Sequence, residues 1–501
     1  MRTGLIIGIV VVIVVIAIIA AYLATRPPSP PPAPPATTVT TSVVTTSVVT
    51  VSGQPTTVTA TVTVTQPATT TQTTTTAPST ITFYTWWAGL ERFAIDAVIG
   101  NFTKLYGINV EKTAVPGGAG VNAKIAILTL IQAGKPPAAF QVHCGPEMIS
   151  YIYAAPNGAS SFVNMTSYAQ QIGLIQQAPG VAWACSLNGA MYSLPVNVHR
   201  ANLIMYNKHL LDKIGASVPT TVQDLLAVCQ KAAAAGIPCL VLGGADQFTL
   251  LQTWENIFLA VAGPYKFMQF LYGTLPPNDP SITQATQLYL NLTKYLSPDW
   301  AGVDWTGAVA DVVQGKALAH VDGDWAVGLI HNVYPNVVMC TVDNITPNCD
   351  VIFAPFPGTQ GVYSLVIDSV AVPVGPEAQY GIKFATFFAG PKGQMIFNPI
   401  KGSIATYKNI SSSIYPTTVQ QWEAQQYRDA RFYVFSLTHG GLFSDVWQNL
   451  LQQVVVLTQT GRTDLWYSTV AKALATEKQE WSGWYMGFPN SKFWGNATAT
   501  S

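Results

Sequence analysis

The chain has 501 residues, only 10% of them charged, with 24 basic and 24 acidic side chains and a formal net charge of zero. No basic stripe or acidic run supplies the electrostatic footprint of a nucleic-acid binder, and six cysteines without CxxC spacing argue against a zinc ribbon. The 13 Trp and 21 Tyr favour surfaces that stack on a ligand over ion pairing, so the expected partner is small and neutral.

Leu5 to Ala24 reads LIIGIVVVIVVIAIIAAYLA. About 20 apolar residues are enough for one helix to cross a bilayer core and exceed an ordinary signal-peptide core. Residues 1–26 are therefore read as a retained N-terminal membrane anchor, one transmembrane helix. No cysteine follows the span as lipoprotein anchoring would require. Residues 27–79 open with PPSPPPAPP and continue as an uncharged Thr/Ser/Val/Pro tract. Such a chain cannot bury enough apolar surface to offset its ordering entropy, so it reads as an extended, disordered stalk. Its Thr/Ser density suits O-glycosylation, an unmodified linker being the alternative. Sequons at Asn101, Asn164, Asn291, Asn344, Asn409 and Asn496 fit a glycoprotein outside the cell. Stalk and retained anchor together fit a thermophilic archaeal source.

Beyond the stalk roughly 420 residues remain, more than one core organises, so two lobes are expected. TITFYTWW reads as a strand, FAIDAVIGNFTKLYG as a helix and INVEKTAV as a strand, a βαβ opening. NAKIAILTLIQAG is a second helix, and PPAAFQVHC a buried strand whose polar end carries Gln141 and His143. Open α/β sheets bind ligands at the carboxyl ends of their strands, which places Trp86, Trp87 and His143 at a site. In MYSLPVNVHRANLIMYNKHLL a proline precedes Asn197, His199 and Arg200 within strand-like sequence, the mark of a crossing between lobes. Asn197 and Arg200 read as hinge organisers, pairing with backbone or with Asp322 or Asp368. Helices follow in TVQDLLAVCQKAAAAG and LQTWENIFLAVAG, and residues 362–390 return to strand, turn and helix.

Cys340 with Cys349 brackets a turn-rich loop, Cys229 with Cys239 a helix end, and both pairs can close. Cys144 and Cys185 remain by default, with free buried thiols as the competing reading. His143, His199 and His439 lack HxH or HxxxH spacing, so no metal is expected. GGAG at 117–120 lacks the Lys-Ser/Thr of a phosphate loop and reads as a tight turn.

Eight segments carry a resemblance: TWWAGLE at 85–91, VPGGAGVNAK at 115–124, FQVHCGPEMI at 140–149, LPVNVHRAN at 194–202, VVQGKALAHVDGDWAVG at 312–328, FPGTQGVY at 356–363, NPIKGSIA at 398–405 and SLTHGG at 436–441. On these, nearly the whole globular part resembles extracellular solute-binding proteins of the sugar ABC-transporter family, closest to the bacterial glucose-binding branch. The resemblance implies a periplasmic-binding-protein-like, two-lobed (type II) α/β fold with a hinge. Lobe 1 would be 80–195 plus 362–392, and lobe 2 would be 196–361 plus 393–501. It further implies a monosaccharide of the glucose, galactose or mannose class held between the lobes, delivery to an ABC permease, no cofactor and no catalysis.

By motif position, Trp86 and Trp87 would form stacking walls, with Glu91, Gln141 and His143 contacting hydroxyls from lobe 1. Asp324, Lys401 and His439 would close from the other lobe. Phe248 in DQFTLLQTWE stands near where the family has a Trp and would be the second stacking surface. An apolar sugar face needs an indole, and a rim of hydroxyls needs donors and acceptors. The rival from another class is a surface-anchored glycoside hydrolase with Glu91 and Asp324 as its carboxylate pair.

Overall fold

The computed structural model describes residues 38–51, 54–67, 80–115 and 120–481. The chain divides by contact into two units, residues 1–76 and 77–501. In the first unit β1 (Thr38–Val51) and β2 (Gln54–Pro67) pair antiparallel, from Thr38 opposite Pro67 to Val51 opposite Gln54. This corrects the expectation of a disordered stalk over that stretch. Thr and Val are β-branched, and a sequence such as TVTTSVVTTSVVTV fits a pleated ladder. The apolar run from Leu5 to Ala24 lies outside the described residues. No helix among the described residues is long and apolar enough to cross a membrane.

The second unit opens as expected. Strand β3 (Thr80–Thr85), helix α1 (Arg92–Tyr106) and β4 (Asn109–Ala114) make a βαβ unit with parallel strands. Helical spacing puts Ala94, Ile95, Val98 and Phe102 on the buried face of α1, and Gly107, at φ 67°, ends it by donating to the Thr103 carbonyl. Next come α2 (Val121–Gln132), β5 (Ala139–His143) and α3 (Pro146–Ala154). After β6 (Ser193–Pro195), β7 (His199–Arg200) and β8 (Leu203–Asn207) the chain builds α4 (Val222–Ala234), α5 (Phe248–Leu271) and α6 (Trp305–Val313). Then follow β9 (Ala319–Asp322), α7 (Trp325–Val333), β10 (Met339–Thr341), β11 (Val351–Pro355), β12 (Val362–Val366) and β13 (Asp368–Ala371). Helices α8 (Ala378–Ala389), α9 (Pro391–Lys401) and α10 (Thr418–Asp429), strand β14 (Phe432–Phe435), and helices α11 (Ser444–Thr460) and α12 (Thr463–Trp481) complete it.

Three sheets organise these elements. A five-stranded sheet has the order β4-β3-β5-β13-β6, a four-stranded sheet the order β9-β8-β11-β10, and a three-stranded sheet, β14-β12-β7, holds the crossings. Strands β5 (AFQVH) and β13 (DSVA) are buried along their whole length, so their polar residues Gln141, His143, Asp368 and Ser369 must find partners inside the protein. The chain leaves the five-stranded sheet between β6 and β7 and re-enters it between β12 and β13. Those two crossings lie side by side: the Val196 N–H donates to the Asp368 carbonyl at 2.9 Å, and the Asp368 N–H to Asn197 Oδ1 at 3.0 Å.

Helix α9 packs on α1 and α8 and is also touched by α7. Its C-terminal Lys401 therefore stands beside Glu91 of the first sheet's layer. Disulfides join Cys144 to Cys185, Cys229 to Cys239 and Cys340 to Cys349.

The seam between α7 and α9 depends on Gly328, where an added Cβ would lie 2.3 Å from the Lys401 carbonyl oxygen. Gly328→Ala is expected to lower unfolding stability by about 1–3 kcal/mol through overpacking. Gly100→Ala, in α1 with nothing within 4 Å of the new Cβ, should raise it by about 0.5–1 kcal/mol through helix propensity. Urea denaturation of the two variants checks both signs.

Candidate functional site

A cleft of about 300 Å³ opens between the five-stranded and four-stranded sheets. The end of β3 supplies Trp86, Trp87, Ala88 and Gly89, the end of β5 supplies His143, and the crossings supply His199 and Asp368.

Trp86 is half-buried and its ring centroid lies 5.0 Å from that of His143. It is backed by Gly120, at φ 79°, where an added Cβ would stand 2.7 Å from the indole. Gly120 is therefore a close support for a cleft-wall indole, while residues 117–119 of the GGAG segment lie outside the described residues. Trp87 reaches the cleft but is 1% exposed, and its ring packs on Phe397 at 4.7 Å and Phe388 at 5.9 Å. Of the two indoles, one is wall and the other mainly core.

Gln141 lies beneath the floor, fully buried. Its Oε1 accepts from the Thr85 hydroxyl and the Trp86 N–H, and its Nε2 donates to Asp368 Oδ1 at 2.9 Å. Its amide fixes the turn that carries Trp86 and does not line the cleft.

His143 and His199 have the same surroundings on opposite sides of Asp368. His143 Nδ1 meets Glu147 Oε2 at 2.7 Å, and Glu147 also holds the buried Lys124 ammonium at 2.8 Å. His199 Nδ1 meets Asp324 Oδ1. The Nε2 atoms stand 3.6 and 3.5 Å from Asp368 Oδ1 and Oδ2 respectively. Burial alone would lift Glu147, but the His143 imidazole and the Lys124 ammonium outweigh it and bring its pKa down to about 2. Burial would also lift Asp368, yet His199, His143 and Lys401 hold it well below the usual carboxylate range. Burial raises Asp324, with His199 and Lys401 opposing, and Asp324 in turn raises His199 against burial. Asp324 is thus buried behind His199 and does not line the cleft.

His439 lines the cleft with its imidazole neutral, since burial and the nearby His143 and Lys124 push its pKa well down. Its loop is held by Glu255, a fully buried carboxylate on α5 that accepts from the Leu437 N–H at 3.0 Å, the Thr438 N–H at 2.9 Å and the Ser436 hydroxyl at 3.1 Å. Burial raises Glu255 to about 7, with those donors opposing. Gly440 then sits so close to the β5 corner that a Cβ would be 2.6 Å from that of His143.

At the mouth, Lys401 Nζ pairs with Glu91 Oε1 at 2.8 Å. Phe248 lines the cleft edge-on to His439 at 5.4 Å and Trp325 at 6.3 Å. Asp246, Asp304, Trp305, Thr306 and Trp325 join them, none of which was singled out in the sequence as a contact. Asp246 Oδ2 accepts the Trp305 N–H at 2.7 Å, and burial with Asp304, Asp322 and Glu91 nearby lifts it to about 6. Trp325 directly follows Asp324 in the GDW motif, so a signal existed for it. Asp304 caps α6 by accepting the Gly307 N–H at 2.7 Å, an ordinary N-cap whose place at a cleft is invisible locally. Among the described residues no group of His, Cys, Asp or Glu could hold a metal. The arrangement suits an uncharged ligand with an apolar face and many hydroxyls.

Because the Glu147 pKa is depressed in the folded state, its pairing contributes stability above the unfolded value of 4.5 that is lost as pH falls toward about 2. The contribution is about 3 kcal/mol. Unfolding free energies measured from pH 6 to pH 3 should fall steeply in the native protein, and Glu147→Gln should be less stable at pH 6 with a flatter acid limb. Parallel curves would exclude Glu147 as the source.

The family of bacterial extracellular solute-binding proteins matches residues 77–395. Glucose-binding protein GlcS of Saccharolobus solfataricus is 36% identical over 83% of this chain and 78% of its own. An uncharacterized ABC transporter extracellular-binding protein of Pyrococcus horikoshii is 30% identical over 75% of this chain and 82% of its own. Among solved structures, the bacterial solute receptor AcbH, described as having an exclusive substrate preference for β-D-galactopyranose, superposes with a TM-score of 0.66 at 14% identity, covering 80% of this chain and 98% of its own. That likeness is one of fold.

Proposed function

The chain belongs to the family of bacterial extracellular solute-binding proteins, which are not enzymes, and we propose that it is the receptor of an ABC sugar importer. It captures a monosaccharide of the glucose, galactose or mannose class between its lobes and presents it to a membrane permease. The observation that carries this reading is the cleft lining: the Trp86 indole beside a floor of imidazoles and a carboxylate, with the Glu91–Lys401 pair at the mouth. An indole covers the apolar C–H face of a pyranose, while carboxylates accept from its hydroxyls and ammonium donates to them. The similarity to a glucose-binding protein supports a hexose.

Ligand would first meet one lobe of an open form, and closure would follow because the second lobe binds the occupied state better than the empty one. The apolar run Leu5–Ala24 would tether the module to the membrane, so that linker reach sets its concentration near the permease. The hydrolase alternative is not retained. The family is not enzymatic, and Asp324, one of the two carboxylates it needs, sits behind His199 away from the cleft.

Calorimetric titration of the purified protein with glucose, galactose, mannose and maltose is expected to show tight binding of at least one hexose. Trp86→Ala should weaken it by about tenfold or more through lost stacking area. Aryl glycosides should show no turnover. Absence of binding to every sugar would overturn the reading.

A further inference from the structure

We propose that the chain has a second groove, away from the cleft, and carries its occupant with it: residues 484–488, WYMGF, seat between α2, α3 and the facing ends of α11 and α12. This goes beyond sugar capture and does not depend on it.

Helix α2, VNAKIAILTLIQ, is apolar on more than one face. Ala123, Ile127 and Ile131 enter the core, whereas Ile125 is 53% exposed and Leu128, three residues on, is half-buried. A helix apolar all round calls for cover on both sides. Beside these two residues stands Tyr153 of α3, 41% exposed, whose ring stacks on Phe443 with centroids 6.1 Å apart and planes 8° apart. Together they line a groove of about 430 Å³. The Ser444 N–H donates to the Ser150 hydroxyl at 3.0 Å, which joins α11 to α3 along it. Lys124 also lines it, but its ammonium is committed to Glu147 at 2.8 Å and to the Trp447 ring at 4.1 Å. What the groove offers an occupant is mainly apolar and aromatic contact.

The chain supplies such an occupant where its described part ends. Trp481 is pinned at the end of α12: its Nε1 donates to the Leu271 carbonyl at 3.0 Å, and its ring packs on Phe443 at 5.6 Å. The residue before it, Glu480, lines the groove. Residues 482–501, SGWYMGFPNSKFWGNATATS, lie outside the described residues and include Trp484, Tyr485, Met486, Phe488, Phe493 and Trp494. Segments that stay solvated are poor in such side chains. Trp484 is three residues past Trp481, a reach of about 10 Å at full extension, so the groove is accessible to it. Covalent attachment at the groove edge gives this segment an advantage over any free partner. Charge points the same way, since Lys492 is the single charged side chain of the segment and the groove carries Asp445 and Glu480. Residues 116–119, also outside the described residues, read PGGA and have no side chain large enough to fill it.

Hydroxyl-radical footprinting of the sugar-free full chain, native and with Ile125→Glu or Trp484→Ser, reads both sides of the contact. Trp484 and Met486 are expected to label several-fold more in Ile125→Glu than in the native protein. Tyr153 should label several-fold more in Trp484→Ser, and the native pattern should not change on dilution. Equal labelling of Met486 in native protein and Ile125→Glu would overturn the proposal. So would a Tyr153 that stays shielded in Trp484→Ser, which assigns the cover to another group, or shielding that fades on dilution, which assigns it to a second copy of the chain. Should Ile125→Glu fail to fold, Trp484→Ser alters no residue of the described fold and decides alone through Tyr153 and Ile125. Because no sugar is present, failure here leaves the receptor reading as it stands, and failure of every hexose to bind leaves the groove assignment as it stands.

Discussion

A single carboxylate with almost no access to solvent stands where the two crossings of the chain meet. Ionised Asp368 in that place would be costly without compensation, since burying an unpaired charge costs several kcal/mol. The surrounding sequence supplies the compensation: amide donors from Gln141 and Asn197, and imidazoles from His143 and His199. Gln141 and His143 come from β5, and Asn197 and His199 from the crossing into β7. Satisfying one charge thereby fixes the end of β5, the crossing between β6 and β7, and the start of β13 relative to one another. The same demand passes outward, because each histidine is anchored in turn by a buried carboxylate, and Glu147 again by Lys124.

A comparable device holds the far wall. Glu255 has no cationic partner among its hydrogen bonds and instead takes backbone N–H groups of Leu437 and Thr438, which fixes the loop that presents His439. Glycines 120, 328 and 440 then allow backbone to approach an indole, a helix end and an imidazole more closely than any side chain would permit. The cleft is thus made rigid by buried polar groups and by missing Cβ atoms, both of which leave little trace in hydrophobic periodicity.

That difference explains how far the sequence could be read. The βαβ opening, the crossing near Asn197 and the disulfide pairs between nearby cysteines are local patterns, so they are legible. Trp86, His143, Lys401 and His439 could be placed because each lies at the end of a recognisable element or in a motif. The placement of Gln141 and Asp324 behind the cleft wall could not be read, because lining and support look alike in one dimension. Both carry polar groups next to a cleft-lining residue, and only the fold shows that they bond the Trp86 N–H and the His199 ring from behind. Asp246, Asp304 and Trp305 come from the turn before α5 and the start of α6, nearly sixty residues apart, and nothing local marks their convergence. The Thr/Val tract failed in the other sense: composition without large apolar side chains argued for disorder, whereas β-branching at successive positions carried the ladder.

The distribution of charge also bears on selectivity. On the floor the carboxylates are matched by imidazoles and an ammonium, so an incoming ion finds no uncompensated partner there. At the mouth Glu91 is matched by Lys401, whereas Asp246 sits among other acids and is lifted toward neutrality. A floor so balanced gains little from the charge of a ligand, and an anion would in addition meet the acids Asp246 and Asp304. Discrimination then rests on the number and placement of hydroxyls, because every buried donor or acceptor left unmatched costs more than the corresponding bond contributes when made. The floor around Asp368, where the polar groups are most deeply buried and least able to move, is where that asymmetry acts most strongly.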